Sequence, residues 1–347
     1  VYMDAIPICA VFFKLLSPIL PTTFQYFGIF GLLVYMMQGG ISAILLYSKT
    51  RNEKVSVLGS AFFVLSSVLL TRMFGHTALA CHPIILIALY IFLNKEKFKE
   101  KSKDIVYWTI LLSIASLIHI YFVPMVVIFI CGFYMSDIFS KDFFKAFLKV
   151  IIPIGVTLLV MWIIGYFYGK SDLIDYGFGV YNANLNALFN DQGTSFFAKL
   201  LNQTSTGVGE GYAYLGLGII LLVFLCIVTF LQNIKVRDIH IGKLIPIISI
   251  VCVCLFLSIQ PIIRFGEFTI VKIHYPQKIE SVLAMFRANG RFIWPIFYLI
   301  MVASLCYVFK NYRKYSLYII GALLIVQIID LSPVISSRKN LVEKSED

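Results

Sequence analysis

Apolar residues in this chain neither alternate with polar ones at the period of a strand nor trace a single helical face. They fill long runs. Ten runs are read at 24–47, 55–71, 77–93, 105–119, 122–139, 149–168, 212–232, 244–260, 292–309 and 316–330. Runs of this length and apolarity predict helices that meet a non-aqueous solvent. Several are near 16 residues, short against the roughly 20 of a full bilayer crossing. The stretch 105–139 is too long for one helix, and His119 and Pro124 predict its turn.

The polar segments between the runs alternate in character. One set is short and basic: Lys49, Arg51 and Lys54; Lys95, Lys97, Lys99, Lys101 and Lys103; Lys141, Lys145 and Lys149; Lys235, Arg237 and Lys243; Lys310, Arg313 and Lys314. The other set is longer and mixed in charge, carrying Asp4, Asp172, Asp175, Asp191, Glu210, Glu267 and Asp330. Positive charge retained on one side sets orientation in a membrane. The basic loops are therefore expected in the cytoplasm, and 1–23, 169–211, 261–291 and the segment after Asp330 outside. Burying the five lysines of 94–104 at a helix centre would cost about 2.5–3.5 kcal/mol each, which excludes merging the helices on either side.

Composition agrees with this pattern. Of 347 residues, 60% are hydrophobic and only 14% charged, with mean hydropathy +0.89. A soluble domain carries roughly 25% charged residues, so too little polar surface remains here to cover a water-soluble globule. The formal charge of +11 would suggest nucleic acid in a soluble protein. Here the lysines sit in the short loops, so no nucleic-acid partner is expected. The seven cysteines lie mostly inside apolar runs and form no CxxC pair, which predicts packing residues rather than disulfides or zinc ligands. Loop 169–211 is rich in Gly, Asn and Ser/Thr and is expected to hold short helices and turns. Its sequon Asn202-Gln203-Thr204 matters only in a eukaryotic secretory pathway. No internal repeat is visible, which weakens an inverted-repeat transporter reading.

The scarce ionisable residues gather toward the expected outer face. Arg72, His76 and His82 surround one turn, and His119 with Tyr121 form the next. For the histidines, interfacial hydrogen bonding competes with substrate contact, and their spacing fits no dedicated metal motif. Asp4 stands three residues before Pro7, where a short interfacial helix is expected; it reads either as a helix cap or as a general base or metal ligand. The segment FRANGRFIWP (286–295) enters the ninth run. If it is helical, Arg287 and Arg291 share a face one turn apart and clamp a phosphate or pyrophosphate. The competing reading is two arginines snorkelling to headgroups beside Trp294. Asn289 lies between them as a substrate contact. Glu210, in GEGYAYLGLG, is expected to pair with an arginine, touch a sugar hydroxyl or stand solvated at a helix start.

At MDAIPICAVFFKLLSPILP, GHTALACHP, LIHIYFVPM, NLNALFN with GEGYAYLGLG, FRANGRFIWP and IIDLSP, the chain resembles a family of bacterial polytopic membrane proteins with the architecture of GT-C glycosyltransferases. The resemblance implies an all-α integral membrane fold of about ten transmembrane helices, with short helices in the outer loops. It implies one membrane domain over 1–335, with 336–347 a polar tail, in the bacterial plasma membrane. It further implies transfer of a sugar from a polyprenyl-phosphate donor to an acceptor glycan or lipid on the outer face. In such enzymes an acid of the first outer loop acts as base or binds a divalent cation, and Asp4 matches the last such position. A first helix and the paired upstream acid are expected before Val1. The implied site is Asp4 for catalysis, Arg287 and Arg291 for the donor phosphate, and Arg72, His76, His82, His119, Tyr121, Glu210 and Asn289 for substrate. A transporter or lipid flippase, or a non-catalytic relative in envelope assembly, is the alternative; a transporter would carry ionisable groups near the midplane and usually repeated halves.

Overall fold

A computed structural model describes residues 5–73, 75–100, 103–139, 142–168, 178–197, 210–233 and 241–343. In chain order its helices begin with α1 (Pro7–Leu15), α2 (Phe27–Thr50), α3 (Glu53–Val64) and α4 (Ser67–Arg72). There follow α5 (Pro83–Leu93), α6 (Lys95–Glu100), α7 (Asp104–Ile118), α8 (Phe122–Ile138) and α9 (Phe143–Ile164), then α10 (Leu217–Asn233) and α11 (Ile241–Ile259). Strands β1 (Ile262–Phe265) and β2 (Phe268–Lys272) precede α12 (Gln277–Ala284), α13 (Trp294–Asn311), α14 (Ser316–Asp330) and α15 (Ser332–Glu343).

Each of the ten apolar runs lies largely on helix, and the boundaries follow local chemistry. The side chain of Asn52 caps α3 by accepting the Val55 amide at 3.0 Å. Pro7, Pro83 and Pro295 sit in first turns, where a missing N–H costs nothing. α7 stops before His119 and α8 starts at Phe122, so the expected turn is where the histidine placed it. α9 ends at Gly165, whose φ of 92° suits glycine alone.

Among the described residues, four helical stretches are long and apolar enough to cross a membrane: Phe27–Thr50, Glu53–Arg72, Phe143–Ile164 and Asn289–Asn311. The pair Ser316–Asp330 and Ser332–Leu341, bent by 54°, makes a fifth if taken as one span. Five further apolar helices are shorter, at 10–17 residues. Leu32, Met36, Ile163, Phe224 and Leu231 are largely exposed on these helices, a surface suited to lipid rather than water. The departure from helix that composition did not signal is the antiparallel hairpin β1–β2, which turns at Gly266 with φ 59°.

The chain divides into two compact units. The first comprises 1–41, 75–172 and 241–250. Its core packs α5, α7, α8 and α9 around Trp108, Phe129, Phe133 and Tyr134, with Trp108 meeting Phe133 edge-on at 5.5 Å. The buried Asp104 opens α7, where a helix dipole favours an acid, and accepts from Tyr134 Oη at 2.7 Å and Lys149 Nζ at 3.0 Å. The second unit comprises 42–74, 173–240 and 251–347. It packs α3, α10, α13 and α14 around Phe62, Phe63, Phe297 and Tyr298. α10 and α14 meet so closely that a Cβ on Gly218 would lie 2.3 Å from the Leu323 carbonyl oxygen.

Candidate functional site

The second unit collects an ion cluster at the ends of apolar helices. Arg72 is the last residue of α4, and Arg291 lies in the 3-10 turn Asn289–Ile293 that leads into α13. Both reach Glu210, from the segment ahead of α10. Oε2 of Glu210 accepts from Arg72 Nη1 at 2.9 Å and from Arg291 Nη2 and Nε, each at 2.8 Å. The arginine side chains are 9% and 10% exposed, and that of Glu210 18%. The Arg72 guanidinium also stands over the Trp294 ring, 5.7 Å from its centroid. Burial pushes the Glu210 carboxyl upward, but attraction to Arg72 and Arg291, with their hydrogen bonds, outweighs burial and holds it below the usual glutamate range.

Glycines make this convergence sterically feasible. A Cβ on Gly211 would lie 2.7 Å from both Ala183 Cα and the Asn182 carbonyl oxygen; one on Gly290 would lie 2.6 Å from Gly211 Cα. Main chains 181–183, 210–212 and 289–291 therefore touch without side chains between them, and the Gly290 amide donates to the Tyr181 carbonyl at 3.0 Å. Asn289, 2% exposed, donates from Nδ2 to the Leu257 and Gln260 carbonyls and so ties the turn to the end of α11.

A second carboxylate fixes the segment that follows Glu210. Asp330, at the end of α14 and 0% exposed, accepts from Ser195 Oγ, from Tyr214 Oη at 2.9 Å and from the Leu217 amide at 2.8 Å. Gln327 Oε1 accepts the Ile219 amide at 3.3 Å, and its Nε2 donates to the Leu215 carbonyl at 3.0 Å. The first amides of α10 are thus capped by side chains of α14. Gly216, at φ 83°, allows the turn; a Cβ there would fall 2.0 Å from Gln327 Nε2.

Five expected site residues lie in this unit, Arg72, Glu210, Arg287, Asn289 and Arg291, and all but Arg287 belong to the structure just described. The clamp expected of Arg287 with Arg291 does not form as a helical pair. α12 ends at Ala284, and Ala288 has φ −93° and ψ 55°, which takes the chain out of the helix and into the 3-10 turn. Arg287 is exposed while Arg291 is buried, and Arg72 is the second cation on the carboxylate. Nor does Arg291 snorkel beside an interfacial tryptophan, because Trp294 is 0% exposed. Asp330 and Gln327 were not anticipated as site residues. The available signal was an acid closing an apolar run.

The other expected residues lie in the first unit. His82 precedes α5 and is 0% exposed; His119, 2% exposed, follows α7. Their rings flank Phe122 edge-on at 6.4 and 6.5 Å. His119 Nδ1 accepts the Tyr121 amide at 3.3 Å, and His76 is exposed. Asp4 lies outside the described residues, though α1 does begin at Pro7 as expected. Among the described residues no three His, Cys, Asp or Glu side chains gather as metal ligands.

The chain belongs to the family of a domain of unknown function, DUF6311, whose model matches residues 1–332. No curated protein and no solved structure matches it.

Proposed function

We propose that this protein is a GT-C-like glycosyltransferase that crosses a bacterial plasma membrane about ten times with its basic loops in the cytoplasm. It moves a sugar from a polyprenyl-phosphate donor to an acceptor glycan or lipid on the outer face. The observation that carries the reading is the Arg72–Glu210–Arg291 cluster. Both arginines stand at termini of membrane-length stretches, Glu53–Arg72 and Asn289–Asn311, the level at which a lipid phosphate rides. Two guanidinium forks converging on one oxygen have the form of a phosphate site. The shorter helices count as crossings through their apolar composition and the lysine-rich loops between them.

In the reaction, an acceptor hydroxyl oxygen attacks the anomeric carbon. The bond from that carbon to the phosphate oxygen breaks, and the polyprenyl phosphate leaves with the electron pair. The hydroxyl proton passes to a general base, the role that the family resemblance gives to Asp4. Arg72 and Arg291 stabilise the charge that grows on the leaving phosphate.

The test is transfer of radiolabel from a polyprenyl phosphosugar by the full-length protein in liposomes. Arg291→Gln should slow transfer on the order of a hundredfold, the usual scale for a lost oxyanion donor, and Asp4→Asn should abolish it. Undiminished transfer by Asp4→Asn removes Asp4 from the mechanism; undiminished transfer by Arg291→Gln removes the cluster.

A further inference from the structure

We propose that a groove between α10 and α13 holds an acyl chain of an anionic phospholipid, whose headgroup lies against Lys310 and Arg313 at the ends of these helices remote from Glu210. The proposal needs the helices to meet lipid and is independent of glycosyl transfer.

Helix register builds the groove. Glu210 ahead of α10 pairs with Arg291 ahead of α13, Cys226 Sγ donates to the Ser304 carbonyl at 3.5 Å, and the Thr229 and Tyr312 hydroxyls meet at 2.6 Å. The two helices therefore run parallel, start to start and end to end. Val223, Cys226, Ile227 and Phe230 recur at intervals of three and four residues on one face of α10. Ile300, Ala303, Ser304 and Tyr307 recur at the same intervals on α13. Between these faces lies a groove of about 310 Å³ that opens at the exposed Ile227, Phe230 and Ala303. Each face rises roughly 10 Å, within the roughly 15 Å of hydrocarbon in one leaflet. Ser304 and Tyr307 alone among the lining side chains end in oxygen, and Ser304 Oγ is spent on the Met301 carbonyl at 3.1 Å. Such a wall suits hydrocarbon and leaves a polar ligand unsatisfied.

One turn further along, the same two faces change character. Phe230 is followed at that spacing by Asn233, and Tyr307 by Lys310 and Asn311, all exposed. The chain then passes through the exposed Arg313 and Lys314 into α14. Among the described residues none of these three cations is paired with a carboxylate. Tyr315 and Tyr318, largely exposed, follow the same turn, and tyrosines so placed mark a membrane–water boundary. An apolar slot that ends in cations at that boundary is complementary in shape and charge to a lipid with a negative headgroup. A neutral lipid would fill the slot without using the cations, and a soluble anion would use the cations without filling the slot.

The experiment offers the full chain in detergent equal amounts of dioleoyl phosphatidylglycerol and dioleoyl phosphatidylcholine, which have identical chains, and counts retained lipid by native mass spectrometry. The wild type should retain phosphatidylglycerol about fivefold or more over phosphatidylcholine, the scale of one basic residue acting on an anionic headgroup. Lys310→Gln combined with Arg313→Gln should bring the ratio close to one, and Lys310→Arg combined with Arg313→Lys should keep it. Ala303→Phe fills the slot and should lose the retained phosphatidylglycerol although every charge remains. Equal retention of the two lipids by the wild type would leave the cations as complements to the helix ends and overturns the proposal without any variant having to fold. A preference unmoved by Ala303→Phe overturns it as well. In a further arm farnesyl phosphate is added; its retention in place of phosphatidylglycerol gives the slot to the sugar donor, and a dimer abolished by Ala303→Phe gives it to a second copy of the chain. Either result overturns the proposal.

Discussion

Glu210 and Asp330 are both withdrawn carboxylates of the same unit, and their surroundings differ in kind. Asp330 is met by neutral donors, a serine, a tyrosine and a backbone amide, and is sealed from solvent. Its hydrogen bonds are consumed in capping α10 and fixing the 190s segment. Glu210 is met by two cations and keeps some exposure. A carboxylate satisfied by neutral groups acts as architecture. One held between two cations joins charges that would otherwise repel each other.

That contrast is broken or sharpened first at Asp330. Replacing it by alanine strands three donors in the interior, and each such group costs about 1–3 kcal/mol. Asp330→Ala should therefore lose about 3 kcal/mol or more, read as a fall in the thermal midpoint in detergent. A midpoint as high as wild type would show the contacts to be incidental. Next comes Gly290→Ala. Its methyl group would press on the Gly211 backbone at 2.6 Å, and overpacking of this kind costs about 1–3 kcal/mol. Phosphate affinity should fall as Arg291 shifts. Gly40→Ala, inside α2 with nothing within 4 Å, is the control and should hold or raise the midpoint. Equal midpoints for the two variants would refute the close approach.

The smallest expected effect is in acid. The folded Glu210 carboxyl lies below its ordinary range, so the cluster's contribution to stability is complete above the unfolded value of about 4.3. It is lost as pH falls through the lower folded value. The midpoint difference between wild type and Glu210→Gln should thus be constant near neutral pH and shrink below about pH 4. A difference that stays constant down to pH 3 would separate Glu210 from the acid response.

Much of the fold could be read before any coordinates. His119 and Pro124 located the break between α7 and α8, and Pro7 the start of α1, because proline and a buried imidazole have few tolerable positions. Arg72, Glu210 and Arg291 stood out because charge at the ends of apolar runs is costly unless it is matched. Their partnership was hidden. Arg287 has the helical spacing to pair with Arg291, whereas Arg72 is more than two hundred positions from it. The turn at Ala288 separates the near pair, and the distant one is joined through Glu210, which the packing of Gly211 against Gly290 sets beside Arg291. The hairpin β1–β2 escaped notice because its strands are four and five residues long, too short for alternation to stand out.

Sequence by itself determined that the chain is mostly helical, with apolar runs suited to lipid and scarce charges kept at their ends, because the cost of placing a charge or a bare amide in an apolar medium is set residue by residue. Tertiary structure decided which of those charges meet. Pairing depends on where a turn redirects a side chain and on how closely two backbones approach, and both are properties of segments far apart in the chain.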